Sequence, residues 1–323
     1  MKIEIYFWKE RQVSAVNRNY RLKWLTTLAC VGMFLVLLAG AVVTNTESGR
    51  GCGTDWPLCN GKFVPAYTVE SMIEYSHRAV TGVEGIIVLA SVIAVWFGVK
   101  ERRDSLYYAL ATLFFTVLQA ALGAMAVIWE PTAAVMASHF GISLLAFASS
   151  LLLAISIRQR GNSNSPILQG DKAFKVSKGF RTGVWLTALY TFVVVYIGAY
   201  VRHTDSGGGC LGWPLCNGEV VPELAGATGI AFVHRIAAML LWIVIAALTY
   251  AAWSRYRGHR AIMMGCLWAL ALVTLQVFSG ALLVVTMGSE LYLFSILLHI
   301  MLISGLFAVL SFLCIATYKA ARK

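Results

Sequence analysis

Charged residues are scarce in this chain. Asp, Glu, Lys and Arg make up 13% of its 323 residues and apolar residues make up 59%, whereas soluble domains have about 25% charged and about 45–50% apolar residues. So little charge cannot cover the surface of a water-soluble protein. The composition therefore all but excludes the soluble class and predicts an integral membrane protein.

Clustered aspartates are also missing. Prenyl transferases use such clusters to hold a diphosphate through Mg²⁺, a cation that proteins bind with carboxylates and substrate phosphates together. The only aspartates here are widely scattered, at Asp55, Asp104, Asp171 and Asp205. The sequence therefore disfavours a prenyl transferase.

Long apolar runs dominate what is present. A hydrocarbon core of about 30 Å requires about 20 apolar residues of helix, and eight runs reach that length. We expect them to be helical because a lone strand leaves its backbone groups unsatisfied in lipid. The predicted spans are 24–45, 72–98, 106–128, 133–157, 180–201, 229–253, 261–286 and 291–318.

The basic residues predict the orientation. Of the 26 lysines and arginines, 21 lie in the termini and in the connections on the same side as the termini. The positive-inside rule makes that side cytoplasmic, so the net charge of +11 needs no nucleic-acid partner. Residues 1–23 are too polar, and the run after them too long, for a cleaved signal peptide. We expect a multi-pass protein of the cell membrane with both termini cytoplasmic.

The chain contains an internal repeat. CGTDWPLCNGKFVPAYTVESMIEYSHR, from Cys52 to Arg78, returns as CLGWPLCNGEVVPELAGATGIAFVHR, from Cys210 to Arg235, in the other loop predicted to lie outside. The similarity continues in GAVVTNTESGRGC and GAYVRHTDSGGGC, in LQAALGA and LQVFSGA, and in HFGIS and HIMLIS. A repeat on this scale means that the two halves are copies of one unit.

Each copy has four spans and returns to the same side of the membrane. The copies therefore have parallel topology and are related by a pseudo-twofold axis along the membrane normal. The predicted fold is an all-α polytopic membrane protein of two four-helix bundles. Its segments are a cytoplasmic N-terminal segment 1–23, a first bundle 24–158, a cytoplasmic linker 159–179, a second bundle 180–318 and a cytoplasmic tail 319–323.

Four of the six histidines occupy equivalent places: His77 and His139 in the first half, His234 and His299 in the second. Two imidazoles at one level between helices suit a planar metal macrocycle, and a zinc site would need further ligands. A single intramembrane histidine could simply bond to a neighbouring helix, but two symmetric pairs favour two bis-histidine hemes. His259, in a cytoplasmic loop among arginines, is expected to be solvated.

Four further residues could contact heme propionates. Arg78 and Arg235 follow a histidine of each pair, and a guanidinium there could bind a propionate or extend to lipid headgroups. Arg202 and His203 stand where the first half has Thr44 and Asn45; a propionate contact and a merely interfacial position both remain open.

The two copies differ in one carboxylate. Glu74, three residues before His77, lies on the same helix face as that histidine, and its counterpart is Ala231. An acid over one heme alone is expected if the first site does chemistry, as a proton acceptor or by stabilising positive charge. The alternative is a first-turn acid favoured by the helix dipole. Glu84, whose counterpart is Leu241, has no assigned role.

The seven cysteines form two groups. Each outer loop has one close pair, in a compartment that allows disulfides, and we favour a structural staple over a redox relay. The signature of covalent heme attachment, CxxCH, is absent, so hemes would bind non-covalently. The loop pairs are Cys52 with Cys59 and Cys210 with Cys216, and the cysteines within spans are Cys30, Cys266 and Cys314.

In combination, TESGRGCGTDWPLCNG, IEYSHR, LQAALGA and SHFGIS in the first half and AYVRHTDSG, WPLC and VHR in the second resemble the heme A synthase family, in its form with a cysteine pair in the outer loops. The similarity covers the chain from Leu25 to about Leu313. It implies an enzyme that oxidises the C8 methyl group of heme o to formyl, giving heme a for a terminal oxidase.

The resemblance also implies roles for the residues that match the family's motifs. His77 and His139 correspond to the substrate-heme histidines, Glu74 to the essential acid, and His234 and His299 to the ligands of a heme b cofactor. The two cysteine pairs correspond to the family's loop disulfides. Expected partners are an electron acceptor or donor, a heme o synthase and a terminal oxidase. The rival functions are a diheme b-type membrane cytochrome that takes electrons from quinol and a transporter built from parallel repeats.

Overall fold

A computed structural model describes residues 2–99, 103–159 and 175–321. These residues form eight long α-helices and no strand longer than an isolated bridge. The helices are α1 Lys2–Asn45, α2 Val69–Gly98, α3 Arg103–Ile128, α4 Ala133–Gln159, α5 Lys178–His203, α6 Gly226–Tyr256, α7 Arg260–Thr286 and α8 Tyr292–Ala321.

Each helix is long and apolar enough to cross a membrane, which confirms the eight predicted spans. The one large difference is at the start: α1 begins at Lys2, although its membrane-length part is Tyr20–Asn45. Extending a helix adds one hydrogen bond per residue without a new nucleation step, so a polar segment joined to an apolar helix readily continues it. Residues 160–174, most of the predicted linker, and Arg322 and Lys323 of the predicted tail lie outside the described residues.

The packing repeats in the two halves. In the first half α1 contacts α2 and α4, and α3 contacts α2 and α4; in the second, α5 contacts α6 and α8, and α7 contacts α6 and α8. The halves join through α4 against α5 and α8, and through α1 against α8. Buried leucines from α4 and α8, such as Leu144, Leu306 and Leu310, fill this junction. The two bundles therefore form one packed unit.

The α1–α2 and α5–α6 loops have the same fold and define what we call the loop end of the molecule. In each, an Asn-Gly pair with positive φ turns the chain between Cys59 and Lys62, or between Cys216 and Glu219. Asn-Gly is the residue pair that this tight turn favours. Both predicted disulfides are present, Cys52–Cys59 and Cys210–Cys216. The span cysteines Cys30, Cys266 and Cys314 are free and buried.

Candidate functional site

All four paired histidines line one cavity of about 1770 Å³ at the loop end. His77 lies on α2 and His139 on α4, whereas His234 lies on α6 and His299 on α8. The sequence predicts a site in each bundle, and the structure joins the two spaces into one cavity lined by both halves.

Each histidine ring packs against a glycine on the preceding helix, and this feature was missed in the sequence. A Cβ atom added at the glycine would lie 2.7–3.5 Å from the Cε1 atom of the ring. The backbone thus comes close to each imidazole, and at Gly40 and Gly198 a side chain would force the ring to move. The pairs are Gly40 with His77, Gly123 with His139, Gly198 with His234 and Gly280 with His299.

The ring nitrogens differ between the histidines. The Nδ1 atoms of His77 and His234 are buried and have no hydrogen-bond partner among the described residues, whereas the buried ring of His139 faces the backbone of Gln119. In contrast, Nδ1 of His299 lies 2.8 Å from Ser279 Oγ. None of the four Nε2 atoms has a hydrogen bond in the described part of the chain, which suits a nitrogen that binds a metal from the cavity. Paired imidazoles, glycine cradles and a largely apolar wall fit a heme in each half.

Glu74 is buried and lines the cavity, held by two partners. Its Oε2 accepts a hydrogen bond from the backbone N–H of Cys52 at 2.8 Å, and its Oε1 pairs with Arg78 Nη2 at 2.5 Å. It lies beyond the first turn of α2, where Glu70 is the only acid. A favourable interaction between a first-turn acid and the helix dipole therefore does not explain why an acid is present at position 74. In the second half, where Ala231 replaces the acid, Arg235 donates to the carbonyl of Cys210 instead.

The arginines that follow His77 and His234 hold the loops. Arg78 Nη1 donates to the carbonyls of Asp55 at 2.8 Å and Leu58 at 2.6 Å. Arg235 Nη1 donates to the carbonyl of Leu215 at 3.1 Å. Both side chains therefore donate hydrogen bonds to loop carbonyls, a role that the sequence did not predict. Both also line the cavity, and their propionate contacts stay a prediction.

Arg202 joins the two halves at the cavity rim. Its Nε donates to Asn45 Oδ1 at 2.8 Å and its Nη2 to the carbonyl of Thr44 at 3.1 Å. Thr44 and Asn45 are the repeat counterparts of Arg202 and His203, so this contact crosses the pseudo-twofold axis between the ends of α1 and α5. His203 also lines the cavity. Its contact with a propionate stays a prediction.

Two further ionisable residues lie away from the cavity. Glu84 is buried against Gly32, and its Oε1 has no hydrogen-bond partner among the described residues. The prediction for His259 is wrong: it is 4% exposed and caps α7 by accepting from the N–H of Ile262 at 3.4 Å. The first backbone N–H groups of a helix have no partner within the helix, so a buried side chain at the N-cap can accept from one of them. The arginines beside His259 in the sequence suggest solvent exposure and do not reveal this capping role.

This architecture defines a multi-pass membrane protein with two repeated four-helix bundles and paired histidines around a shared cavity. The sequence profile of the family described as cytochrome oxidase assembly protein matches residues 23–71, 66–182 and 181–228. The chain is 41% identical over 294 residues to the heme A synthase of Symbiobacterium thermophilum, covering 90% of this chain and 94% of that protein.

Other relatives match over similar lengths. Identity is 39% over 305 residues with the heme A synthase of an Exiguobacterium species, covering 94% of this chain and 95% of that protein. It is 40% over 307 residues with the heme A synthase of Bacillus licheniformis, covering 93% and 98%. The chain belongs to the heme A synthase family of cytochrome oxidase assembly proteins, and the resemblance noted in its motifs is confirmed.

Proposed function

We propose that this protein is a heme A synthase: a heme-dependent oxidoreductase that oxidises the C8 methyl group of heme o to formyl and so supplies heme a for terminal oxidase assembly. The relatives carry this name, and the observation that carries the proposal is the buried carboxylate of Glu74 on the cavity wall, in the first half alone. An acid over one of two repeated sites supports the assignment of the chemistry to that site.

The first half then takes the substrate and the second half takes the cofactor. His77 and His139 would bind heme o, while His234 and His299 would bind heme b. Heme b supplies one-electron transfer when bound. The imidazoles of His234 and His299, each packed against a glycine, would hold this flat, apolar group between α6 and α8. An external electron acceptor or donor completes the reaction.

Glu74 would act as a proton acceptor, or as a negative charge that stabilises positive charge on the reacting carbon. Two fixed partners, the Cys52 N–H and the Arg78 guanidinium, keep its carboxylate in one place. A charge that is already oriented costs little reorganisation when positive charge develops on a substrate. The disulfide loop would thus position the acid through the backbone of Cys52.

The expected setting is the cell membrane, with both termini cytoplasmic and both disulfide loops outside. A heme o synthase that delivers the substrate and a terminal oxidase that receives the product are the partners this function requires.

The decisive experiment is a pyridine hemochrome spectrum of the purified protein, expressed with and without a source of heme o. We expect heme a beside heme b only when heme o is supplied. Two b-type hemes with no heme a under both conditions would instead indicate a diheme cytochrome. A colourless protein would favour a transporter.

A further inference from the structure

Glu84 is a buried carboxyl group in the middle of α2, and the proposed reaction does not use it. The residue is 3% exposed, and its Oε1 has no hydrogen-bond partner among the described residues. No lysine, arginine or histidine in the described part of the chain forms an ion pair with it. Acids inside membrane-spanning helices are rare and by default indicate function, because their charge is costly there.

The neighbouring helix α1 has a glycine where this carboxyl group packs. A Cβ atom added at Gly32 would overlap Glu84 Oε2, so any side chain there would displace the carboxyl group. The repeat places Tyr190 and Leu241 at the two equivalent positions of the second half. There Tyr190 donates to the carbonyl of Ala237 at 3.0 Å, and Leu241 is buried. At this place the first half therefore has a buried acid with space made for it, and the second half has apolar packing.

Glu84 lies on the same contact between α1 and α2 as His77. Gly40 of α1 packs against the ring of His77, and Gly32, about two turns earlier in α1, packs against Glu84. The two α2 residues are seven positions apart, about 10 Å along the helix. Thr81, between them, lines the cavity and donates to the carbonyl of His77 at 2.6 Å. The carboxyl group thus lies two helical turns beyond a predicted heme ligand.

Few other titratable groups face Glu84. Helices α1 and α3 pack along α2, and the short helix Ser48–Arg50 packs near its first turns. From α1, the thiol of Cys30 interacts electrostatically with Glu84. The charged and titratable side chains of α3 all lie in its first two turns, at Arg103, Asp104, Tyr107 and Tyr108. Those of α2 itself lie in its first three turns, at Glu70, Glu74, Tyr75, His77 and Arg78.

A heme bound by His77 and His139 would change the charge near this carboxyl group. The iron–porphyrin unit of a bis-histidine heme has a net positive charge when the iron is ferric and none when it is ferrous. A positive charge favours the carboxylate, whereas apolar surroundings without one favour the neutral acid. Charges about 10 Å apart still interact appreciably where water is excluded. The oxidation state of the heme should therefore decide whether Glu84 holds a proton.

We propose that Glu84 is a proton-binding site that compensates the charge of the heme in the first half. This inference rests on the proposed function, in which His77 and His139 bind a heme. When that heme gains an electron from an external donor, Glu84 takes one proton from water and forms one O–H bond. When the electron leaves to an external acceptor, the O–H bond breaks and the proton returns to water. The second half has Leu241 at this position, so its heme should lack the coupling.

The test is a redox titration of each heme at a series of pH values. His234→Ala, expressed with heme o, isolates the heme of the first half, and His77→Ala isolates that of the second. Because coupling between two ligands is reciprocal, the midpoint potential of the first-half heme should fall as pH rises. Full coupling to one proton corresponds to about 59 mV per tenfold change in proton concentration. The second-half heme should show a smaller slope.

A substitution at Glu84 assigns the slope to this residue. Glu84→Gln in the His234→Ala protein keeps the shape of the side chain and should remove most of the slope. The matched control is Glu70→Gln, which removes an exposed acid from the same helix and should keep it. Glu84→Leu, which introduces the residue of the second half, decides the question if Glu84→Gln does not accumulate.

Infrared spectroscopy gives a readout that does not depend on formyl production. The difference spectrum between the reduced and the oxidised wild-type protein should contain the C=O band of a protonated carboxyl group. This band should be absent from Glu84→Gln and present in Glu70→Gln.

An unchanged slope in Glu84→Gln, a carboxyl band that survives this substitution, or an equal loss of slope in Glu70→Gln would overturn the assignment of Glu84. These outcomes concern proton binding and leave the proposed function standing. A wild-type protein that shows the coupling and makes no heme a from heme o would instead overturn the function and leave the proton site intact.

Discussion

Ser279 on α7 holds the ring of His299 on α8: Ser279 Oγ lies 2.8 Å from Nδ1. The repeat places Leu122 at the equivalent position in the first half, so the ring of His139 has the backbone of Gln119 beside it and no side-chain hydroxyl partner. A partner on the second ring nitrogen fixes the orientation of a metal-binding histidine. A fixed ring suits a cofactor that stays bound, and a less constrained ring suits a substrate that must leave.

Replacing Ser279 by alanine should weaken heme b retention. The loss of a hydrogen bond to a ligating histidine typically costs about 10–100-fold in affinity. We expect heme b to move about tenfold faster from Ser279→Ala to an excess of a heme-scavenging apoprotein. Ser254→Ala is the control because Ser254 bonds only to its own helix and does not line the cavity. Equal rates for the two variants would contradict a positioning role.

The glycine cradles can be tested within one site. A Cβ atom at Gly198 would lie 2.7 Å from His234 Cε1, whereas one at Gly280 would lie 3.5 Å from His299 Cε1, an ordinary contact. Gly198→Ala must push the imidazole aside and should lose most heme b in the hemochrome spectrum. Gly280→Ala should retain it. Similar heme b content in both variants would show that the close approach does not set the ring position.

Glu74→Gln should retain both hemes and stop formyl production. The amide keeps the shape of the carboxylate, but it removes the charge that pairs with Arg78. Heme a is measured by its hemochrome signal after expression with heme o. Glu70→Gln is the control, since Glu70 is an exposed first-turn acid of the same helix. If Glu74→Gln converted heme o to heme a at the wild-type level, the difference between Glu74 and Ala231 would no longer indicate which half does the chemistry.

His234→Ala should remove the heme b spectrum without unfolding the protein. The side chain makes no hydrogen bond among the described residues, so the variant loses a ligand rather than a structural bond. His259→Ala is a matched control, because that histidine is buried outside the cavity. Full heme b retention by His234→Ala would refute the pairing of His234 with His299.

Arg202→Ala should lower the thermal stability of the whole molecule. Arg202 makes two hydrogen bonds across the junction of the halves, and hydrogen bonds to charged groups contribute about 1.5–3 kcal/mol. Its ion pair with Asp205 is exposed and should contribute about 0–1 kcal/mol. The control Asp205→Asn removes the charge and suits the positive φ of 51° at this position, so it should leave the unfolding midpoint nearly unchanged. Equal destabilisation by both variants would place the effect in the ion pair.

Much of the fold was predictable because its signals are contiguous in the sequence. The length of each apolar run sets a helix that spans a bilayer, and a repeat aligns the two halves residue by residue. The same alignment identified His77, His139, His234 and His299, and it set Glu74 against Ala231. The disulfide of Cys52 with Cys59 was predictable as well, because the two cysteines lie close together in the sequence.

Only the tertiary structure decided how these residues are held. The bonds of Cys52 to Glu74, of Ser279 to His299 and of Arg202 to Asn45 join segments that are 22, 20 and 157 residues apart. The motifs GAVV and LQAALGA contained the glycine signal, but hydropathy does not reveal which ring a glycine faces. Run length and repetition fix which helices exist and which residues they carry. Packing fixes their rotation and approach, and so decides the cavity shared by the two halves and the burial of His259.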